Sequence, residues 1–180
     1  IQWPDDDLFA FDSENKAFQN VIFEDDDWKP KNKQLIDFLN NAGIDIIHVE
    51  SFFTHRNHHG VLHSDYSWLS NHTKLNVSRG GKDSGIEWYT STNPVNVPPI
   101  PPDKSHKLKD HILTASMKTC TKVGSANTHK PSLCNVGQLH RTYNHSDEDR
   151  HTLCFVLIYK DTETVLDFDD ALQILKEHIE

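Results

Sequence analysis

Short runs rich in β-branched and aromatic residues recur along the chain, and 73–79 alternates apolar and polar with the period of two of a half-buried strand. Short strands are predicted at 18–23, 44–53, 61–65, 73–79, 86–90, 132–136, 139–144 and 151–160. The last carries Leu153, Phe155, Leu157 and Tyr159 on one face, and the run 111–123 is also rich in strand formers. The period changes in two places. Leu35, Ile36, Phe38 and Leu39 follow Lys29-Pro30 at helical spacing, and Gly43 is a natural stop. Near the other end Asp167 is a plausible N-cap for a helix carrying Leu172, Ile174, Leu175 and Ile179.

Between these elements lie turn-like stretches at 55–60, Gly80-Gly81 and 124–130. Residues 94–102 hold five prolines, so they can be neither a helix nor a central strand. With 103–109 they read as a long loop bordering a substrate entrance. Residues 1–16, with Trp3, Phe9 and Phe11, read as an acidic arm packed on the domain. Eight to ten short strands with a helix near each end fit a double-sheet jelly roll or barrel better than α/β alternation.

A length of 180 residues suits a single domain spanning 1–180, with its core at about 44–160. The mean hydropathy is −0.65, and no apolar run approaches the roughly 20 residues of a membrane helix. The net charge of −9, with only Arg56, Arg79, Arg141 and Arg150, argues against nucleic acid as a partner. Cys120, Cys134 and Cys154 are odd in number and form no CxxC, which points to reduced thiols and a cytoplasmic setting.

With 13 His and 27 acidic residues, about two His-x-Asp/Glu triplets are expected by composition, and three are present. They are His48-Val-Glu50, His63-Ser-Asp65 and His145-Ser-Asp147. On an extended strand, residues two apart share a face, so His63 and Asp65 would present an imidazole and a carboxylate together. A distant histidine would complete a set of two His and one carboxylate, which leaves open positions on a non-heme Fe(II). His140, after the turn at Gly137, is the candidate. Ten residues later Arg150 and Thr152 share a strand face, a pairing suited to a carboxylate held by a fork of donors.

His63-Ser-Asp65, then His140, then Arg150-His-Thr152 resembles the Fe(II)/2-oxoglutarate-dependent oxygenase superfamily. Leu75-Asn76 and Trp88-Tyr89 look like a small bacterial or phage-type branch of it, and the resemblance covers roughly 44–160. It implies a double-stranded β-helix (a cupin-like jelly roll) with flanking helices. It implies Fe(II) held by His63, Asp65 and His140, and 2-oxoglutarate as cosubstrate with its far carboxylate on Arg150 and Thr152. Asn76 would contact the cosubstrate or Asp65. The activity implied is that of a dioxygenase forming succinate and CO2 while oxidising a substrate C–H bond. Since halogenating members generally lack the carboxylate ligand, Asp65 implies hydroxylation. Of the other triplets, the resemblance places His145-Ser-Asp147 too late in the chain and His48-Val-Glu50 one strand too early.

Two alternatives remain open at this level: a cupin-like protein that binds a metal or small ligand without oxidative turnover, and an Fe or Zn enzyme that does not use 2-oxoglutarate. Arg150 separates the oxygenase from the binding protein, which needs no carboxylate anchor there, unless it is a surface partner of neighbouring Asp147, Glu148 or Asp149. Only one of Trp88 and Tyr89 can face a pocket, while Tyr66, Trp68 and His72 follow the metal motif in a loop. His55, His58 and His59 read as a polar turn. The expected substrate is a small molecule such as a free amino acid, or else a protein side chain; the oligomeric state is not indicated.

Overall fold

A computed structural model describes residues 18–23, 25–65, 71–97 and 112–179. The predicted N-terminal arm, Tyr66, Trp68 and most of the proline-rich loop lie outside the described residues. Eleven strands are defined among them: β1 Phe18–Phe23, β2 Ile44–Thr54, β3 His58–His59, β4 Thr73–Gly80, β5 Ser84–Ser91, β6 Val95–Val97, β7 Ile112–Thr114, β8 Cys120–Asn127, β9 Ser132–Asn135, β10 Leu139–Asn144 and β11 Arg150–Tyr159. Helices α1 Asp25–Trp28 and α2 Lys33–Asn41 precede β2, and α3 Phe168–Ile174 closes the chain. No helix among the described residues is long and apolar enough to cross a membrane.

The strands form an antiparallel five-stranded sheet, in the order β1-β2-β11-β4-β9, and an antiparallel four-stranded sheet, in the order β3-β10-β5-β8. From β2 onward the chain passes back and forth between the two: β2 large, β3 small, β4 large, β5 and β8 small, β9 large, β10 small, β11 large. That alternation is the winding of a double-stranded β-helix, the mainly β fold expected from the strand pattern. β6 and β7 pair separately.

One face of the large sheet is covered by helices. Leu153, Phe155 and Leu157 of β11, Val49 of β2 and Leu75 and Val77 of β4 pack with Trp28, Leu35 and Leu39 in one buried cluster. The register of β2 against β11 shifts between Val156 and Leu157, so Ile46 and Val49 both reach this cluster. The opposite face is polar and lines the barrel interior. Its rows across β2, β11 and β4 read His48–Val156–Lys74, Glu50–Cys154–Asn76, Phe52–Thr152–Ser78 and Thr54–Arg150–Gly80. Ile86 and Trp88 of β5 meet Cys134 and Val136 from the other side and close the space between the sheets.

Several boundaries differ from the sequence reading. The helix after Lys29-Pro30 begins as a 3-10 turn at Pro30–Asn32 and becomes α-helical only at Lys33. Gly43 ends it at φ +79, in the left-handed region. β8 runs through Gly124 to Asn127, where a loop was expected, because Trp88, Glu87, Ile86 and Gly85 pair with those residues. Within the proline-rich stretch Val95–Val97 forms a short strand, and the long run 111–123 is broken by a 3-10 turn at Met117–Thr119. Most consequential, 61–65 is not a strand. His63 and Ser64 make only isolated bridges, to His140 and Leu113.

Gly80 and Gly81 are both left-handed, at φ +68 and +54. A Cβ on Gly80 would meet the Asp149 carbonyl oxygen at 2.1 Å, and one on Gly81 would meet Arg150 Cβ at 3.0 Å. The β4–β5 turn can therefore close over Arg150 only with glycine at these two positions.

Candidate metal centre

The segment 61–65 is pinned by neighbours rather than by a ladder. His63 and His140 exchange backbone hydrogen bonds of 2.9 and 2.7 Å, Ser64 N–H donates to Leu113 O at 2.7 Å, and Asp65 N–H donates to Val136 O at 3.0 Å. Gly60 N–H donates to Thr142 O at its start, and Leu62 is buried with Tyr89, Leu113 and Leu139. The His63–His140 bridge sets the two imidazoles beside each other, with centroids 4.6 Å apart. The bend at Asp65 turns its carboxylate onto them. Oδ1 lies 3.4 Å from His63 Nε2 and 3.9 Å from His140 Nε2. One ligand atom from each of His63, Asp65 and His140 can be chosen so that all lie within 4.8 Å of one another, and this is the metal-capable group of three among the described residues.

The imidazole tautomers suit a metal. His63 Nδ1–H donates to Val61 O at 2.8 Å, and His140 Nδ1–H donates to Gln138 O at 2.9 Å. A carbonyl can only accept, so each Nδ1 carries the proton and each neutral ring turns the Nε2 lone pair toward Asp65. Two lone pairs facing a carboxylate repel unless a cation or a proton lies between them. Burial, then the charge of His63, push His140 down to about 4, so it is neutral at ordinary pH. For His63 burial opposes the charge, but the hydrogen bond and charge of Asp65 outweigh it and raise its pKa above 6.5. A proton and a metal thus compete for His63 Nε2, while His140 stays available. Metal affinity is expected to be full above the raised His63 pKa and to fall by about tenfold per pH unit as pH drops below it, one proton being displaced. Titrating Co(II) at a series of pH values would check this. A decline setting in above pH 6.5 is expected; a two-proton slope or a flat profile would contradict it.

Lys74 was not anticipated. It is 7% exposed, and its Nζ lies 2.6 Å from Asp65 Oδ2 and 2.5 Å from Glu50 Oε2. Glu50 Oε1 in turn meets His48 Nε2 at 3.2 Å. The pair His48 and Glu50, set aside in the sequence as one strand too early, therefore sits inside the barrel and joins the same network. Burial would discharge Lys74 and Asp65, but their mutual attraction, with Glu50 adding to it, holds the lysine well above its ordinary pKa. The same lysine holds Asp65 well below the usual carboxylate range. The signal was present in the sequence: Lys74, Asn76 and Ser78 alternate with Leu75 and Val77, which puts a lysine on the face opposite the core.

Arg150 lies further along the same interior face. It is 1% exposed, and its Nη2 donates to Ser78 Oγ at 3.0 Å and to Thr128 Oγ1 at 2.7 Å. Ser78 Oγ lies 3.0 Å from Thr152 Oγ1. Nε has no hydrogen-bond partner among the described residues. The acidic neighbours do not pair with it: Asp149 accepts from Arg56 N–H at 2.9 Å and lies 3.4 Å from His55 Nδ1. The surface ion pair considered for Arg150 is thus absent among the described residues. Thr128, a partner that sequence reasoning missed, lies outside the strands and carries no motif. Asn76 is 4% exposed, stands one register row from Lys74 and one from Ser78, and its Oδ1 has no partner among the described residues; no hydrogen bond joins it to Asp65.

Trp88 faces the interior and donates to Asn135 O at 2.7 Å, whereas Tyr89 belongs to the outer cluster and donates to Glu87. The other histidines are engaged separately. His55 packs edge-on against Phe53, and His59 edge-on against His145. Cys134 and Cys154 are buried free thiols.

No known protein family and no curated protein matches the chain. Among solved structures it is similar to an oxalate oxidase in complex with glycolate (TM-score 0.39, 10% identity, 91% of this chain). It is also similar to Bacillus subtilis oxalate decarboxylase (0.38, 12%, 96%) and to pumpkin seed globulin (0.40, 12%, 86%). The chain spans 64%, 34% and 32% of those proteins. These are shallow likenesses of a fold that the strand order already defines.

Proposed function

We propose that this chain is an Fe(II)- and 2-oxoglutarate-dependent dioxygenase that hydroxylates a C–H bond of a small molecule or an amino-acid side chain. The observation that carries the reading is Arg150: a guanidinium buried inside the barrel whose partners among the described residues are hydroxyls, on the same face of the large sheet as Lys74, which pairs with Asp65 of the metal-capable group. A buried charge left without a counter-charge is costly, and an unsatisfied buried donor costs about 1–3 kcal/mol. A carboxylate arriving from solution satisfies both.

His63, Asp65 and His140 would hold Fe(II) through two neutral imidazoles and one carboxylate. The chemistry supplied at such a centre is the conversion of 2-oxoglutarate, dioxygen and R–H into succinate, CO2 and R–OH. Arg150, supported by Ser78, Thr128 and Thr152, binds the far carboxylate of the keto acid, and Asn76 lines the stretch between. Lys74 reaches the row of Glu50, and Arg150 reaches the row of Ser78. Adjacent rows are about 7 Å apart, a separation of the order that a five-carbon dicarboxylate spans. Charge agrees. Asp65 and Glu50 are offset by Lys74 and Arg150, so a divalent ion leaves two positive charges for a dianion to neutralise.

The competing reading is a barrel that binds a metal or ligand without turnover, and the observation on its side is that Lys74 already neutralises Asp65. Aerobic incubation with Fe(II), ascorbate and 2-oxoglutarate separates the two. Slow release of succinate even without primary substrate, lost on Arg150→Ala, is expected of the dioxygenase; no succinate from the wild type would favour the binding protein.

A further inference from the structure

The two oxygens of Asp65 have different partners. Oδ1 faces both imidazole Nε2 atoms, at 3.4 and 3.9 Å, while Oδ2 is held by Lys74 Nζ at 2.6 Å. We propose that Lys74 is a positioning residue that keeps Asp65 Oδ2 away from the metal, so that Asp65 ligates through Oδ1 alone. The proposal rests on the metal centre described above, and it names a role for a side chain outside the ligand set.

The lysine is built to stay in place. Its backbone lies in β4, paired to Val156 of β11 on one side and to Cys134 of β9 on the other. Its ammonium lies 6.0 Å from the ring centroid of Phe52. Glu50 also holds the ammonium, at 2.5 Å, and Glu50 is itself held by His48. As a stability device this arrangement is poor, because the desolvation of buried ion pairs commonly cancels their attraction. As a positioning device it does something that an apolar core could not. An unrestrained carboxylate can chelate through one oxygen or both. Chelation through both would fill a coordination position that a keto acid and dioxygen need. Lys74 occupies the second oxygen before any ion arrives, and Glu50 offsets the lysine so that the centre does not become too positive to accept a cation.

The test uses Mn(II) as the probe and water-proton relaxation as the readout, which counts waters bound directly to the ion and needs no turnover. Lys74→Met alone would leave two buried carboxylates without the ammonium that offsets their charge, so the informative variant is Lys74→Met/Glu50→Gln, which removes one charge of each sign. The control is Glu50→Gln, which keeps the Lys74–Asp65 pair. An octahedral ion with three protein donors keeps three waters, and one chelated by both carboxylate oxygens keeps two. The wild type and Glu50→Gln are expected to show three waters. The double variant is expected to show relaxation per bound ion lower by about a third, with metal binding retained. Two waters in the wild type, or equal relaxation in the wild type and the double variant, overturns the role of Lys74 and leaves the metal centre standing. Failure of the wild type to bind Mn(II) overturns the metal centre and the proposal with it.

Discussion

Replacing Asp65 or His140 with alanine is expected to lower Fe(II) affinity by more than about a hundredfold and to abolish succinate formation. Losing a residue that merely supports a ligand costs about 10–100-fold in metal affinity, and losing the ligand itself costs more. The geometry makes the two variants equivalent in effect for different reasons. His140→Ala removes one of two pre-tautomerised imidazoles and leaves the His63–His140 backbone bridge intact. Asp65→Ala removes the only anionic donor and leaves Lys74 paired with Glu50, so the interior keeps a partner for its ammonium. Both should fold. Asp147→Ala, in the exposed third triplet, and His145→Ala serve as controls with unchanged affinity. Full metal affinity in both ligand variants would place the metal elsewhere.

Arg150→Ala should raise the 2-oxoglutarate requirement by roughly a hundredfold, about 2.7 kcal/mol. A guanidinium fork gives a carboxylate two charge-assisted hydrogen bonds, each worth about 1.5–3 kcal/mol net. Thr152, sharing a hydrogen bond with Ser78 beneath the guanidinium, supplies a neutral one at most. Fe(II) affinity should stay at the wild-type value, because Arg150 is no ligand. Arg150→Lys should recover only part of the loss, since a point charge cannot reproduce the planar fork. The alanine variant also leaves Thr128 Oγ1 without its partner and opens space in the barrel, so its unfolding midpoint should be measured beside its affinity. Calorimetric titration of 2-oxoglutarate into the metal-loaded proteins reads the effect. Equal affinity in wild type and Arg150→Ala would leave a purely structural arginine.

Much of this site was legible in the sequence because the chemistry follows the strand period. Arg150 and Thr152, two apart on an alternating run, do share the interior face, and so does Asn76. His140 lies on β10, as its position after the Gly137 turn implied. For His63 and Asp65 the strand period is not what brings the side chains together. They converge not as alternate residues of a strand but because three neighbouring segments pin 61–65 and a bend follows. Pinning of that kind depends on residues 113, 136 and 140, and no local pattern reports it. The roles of Lys74 and Glu50 were legible only in part: alternation places Lys74 opposite the core but does not say that this face is enclosed. A lysine in an amphipathic strand reads as solvent-facing, and only closure of the second sheet over that face makes it an interior cation. The β8 boundary was misread because Gly124 looks like a loop residue, yet pairing with Trp88 keeps it in the sheet.

In the proposed function the His63–Asp65–His140 centre and Arg150 hold one keto acid between them. Anaerobic titration of 2-oxoglutarate into the Fe(II)-loaded protein, followed by visible absorbance, reads that binding mode. The weak charge-transfer band of the chelate should appear and saturate at one equivalent per chain in the wild type. It should require roughly a hundredfold more 2-oxoglutarate in Arg150→Ala. A wild-type protein that binds Fe(II) yet develops no band at saturating 2-oxoglutarate does not chelate the keto acid at this centre.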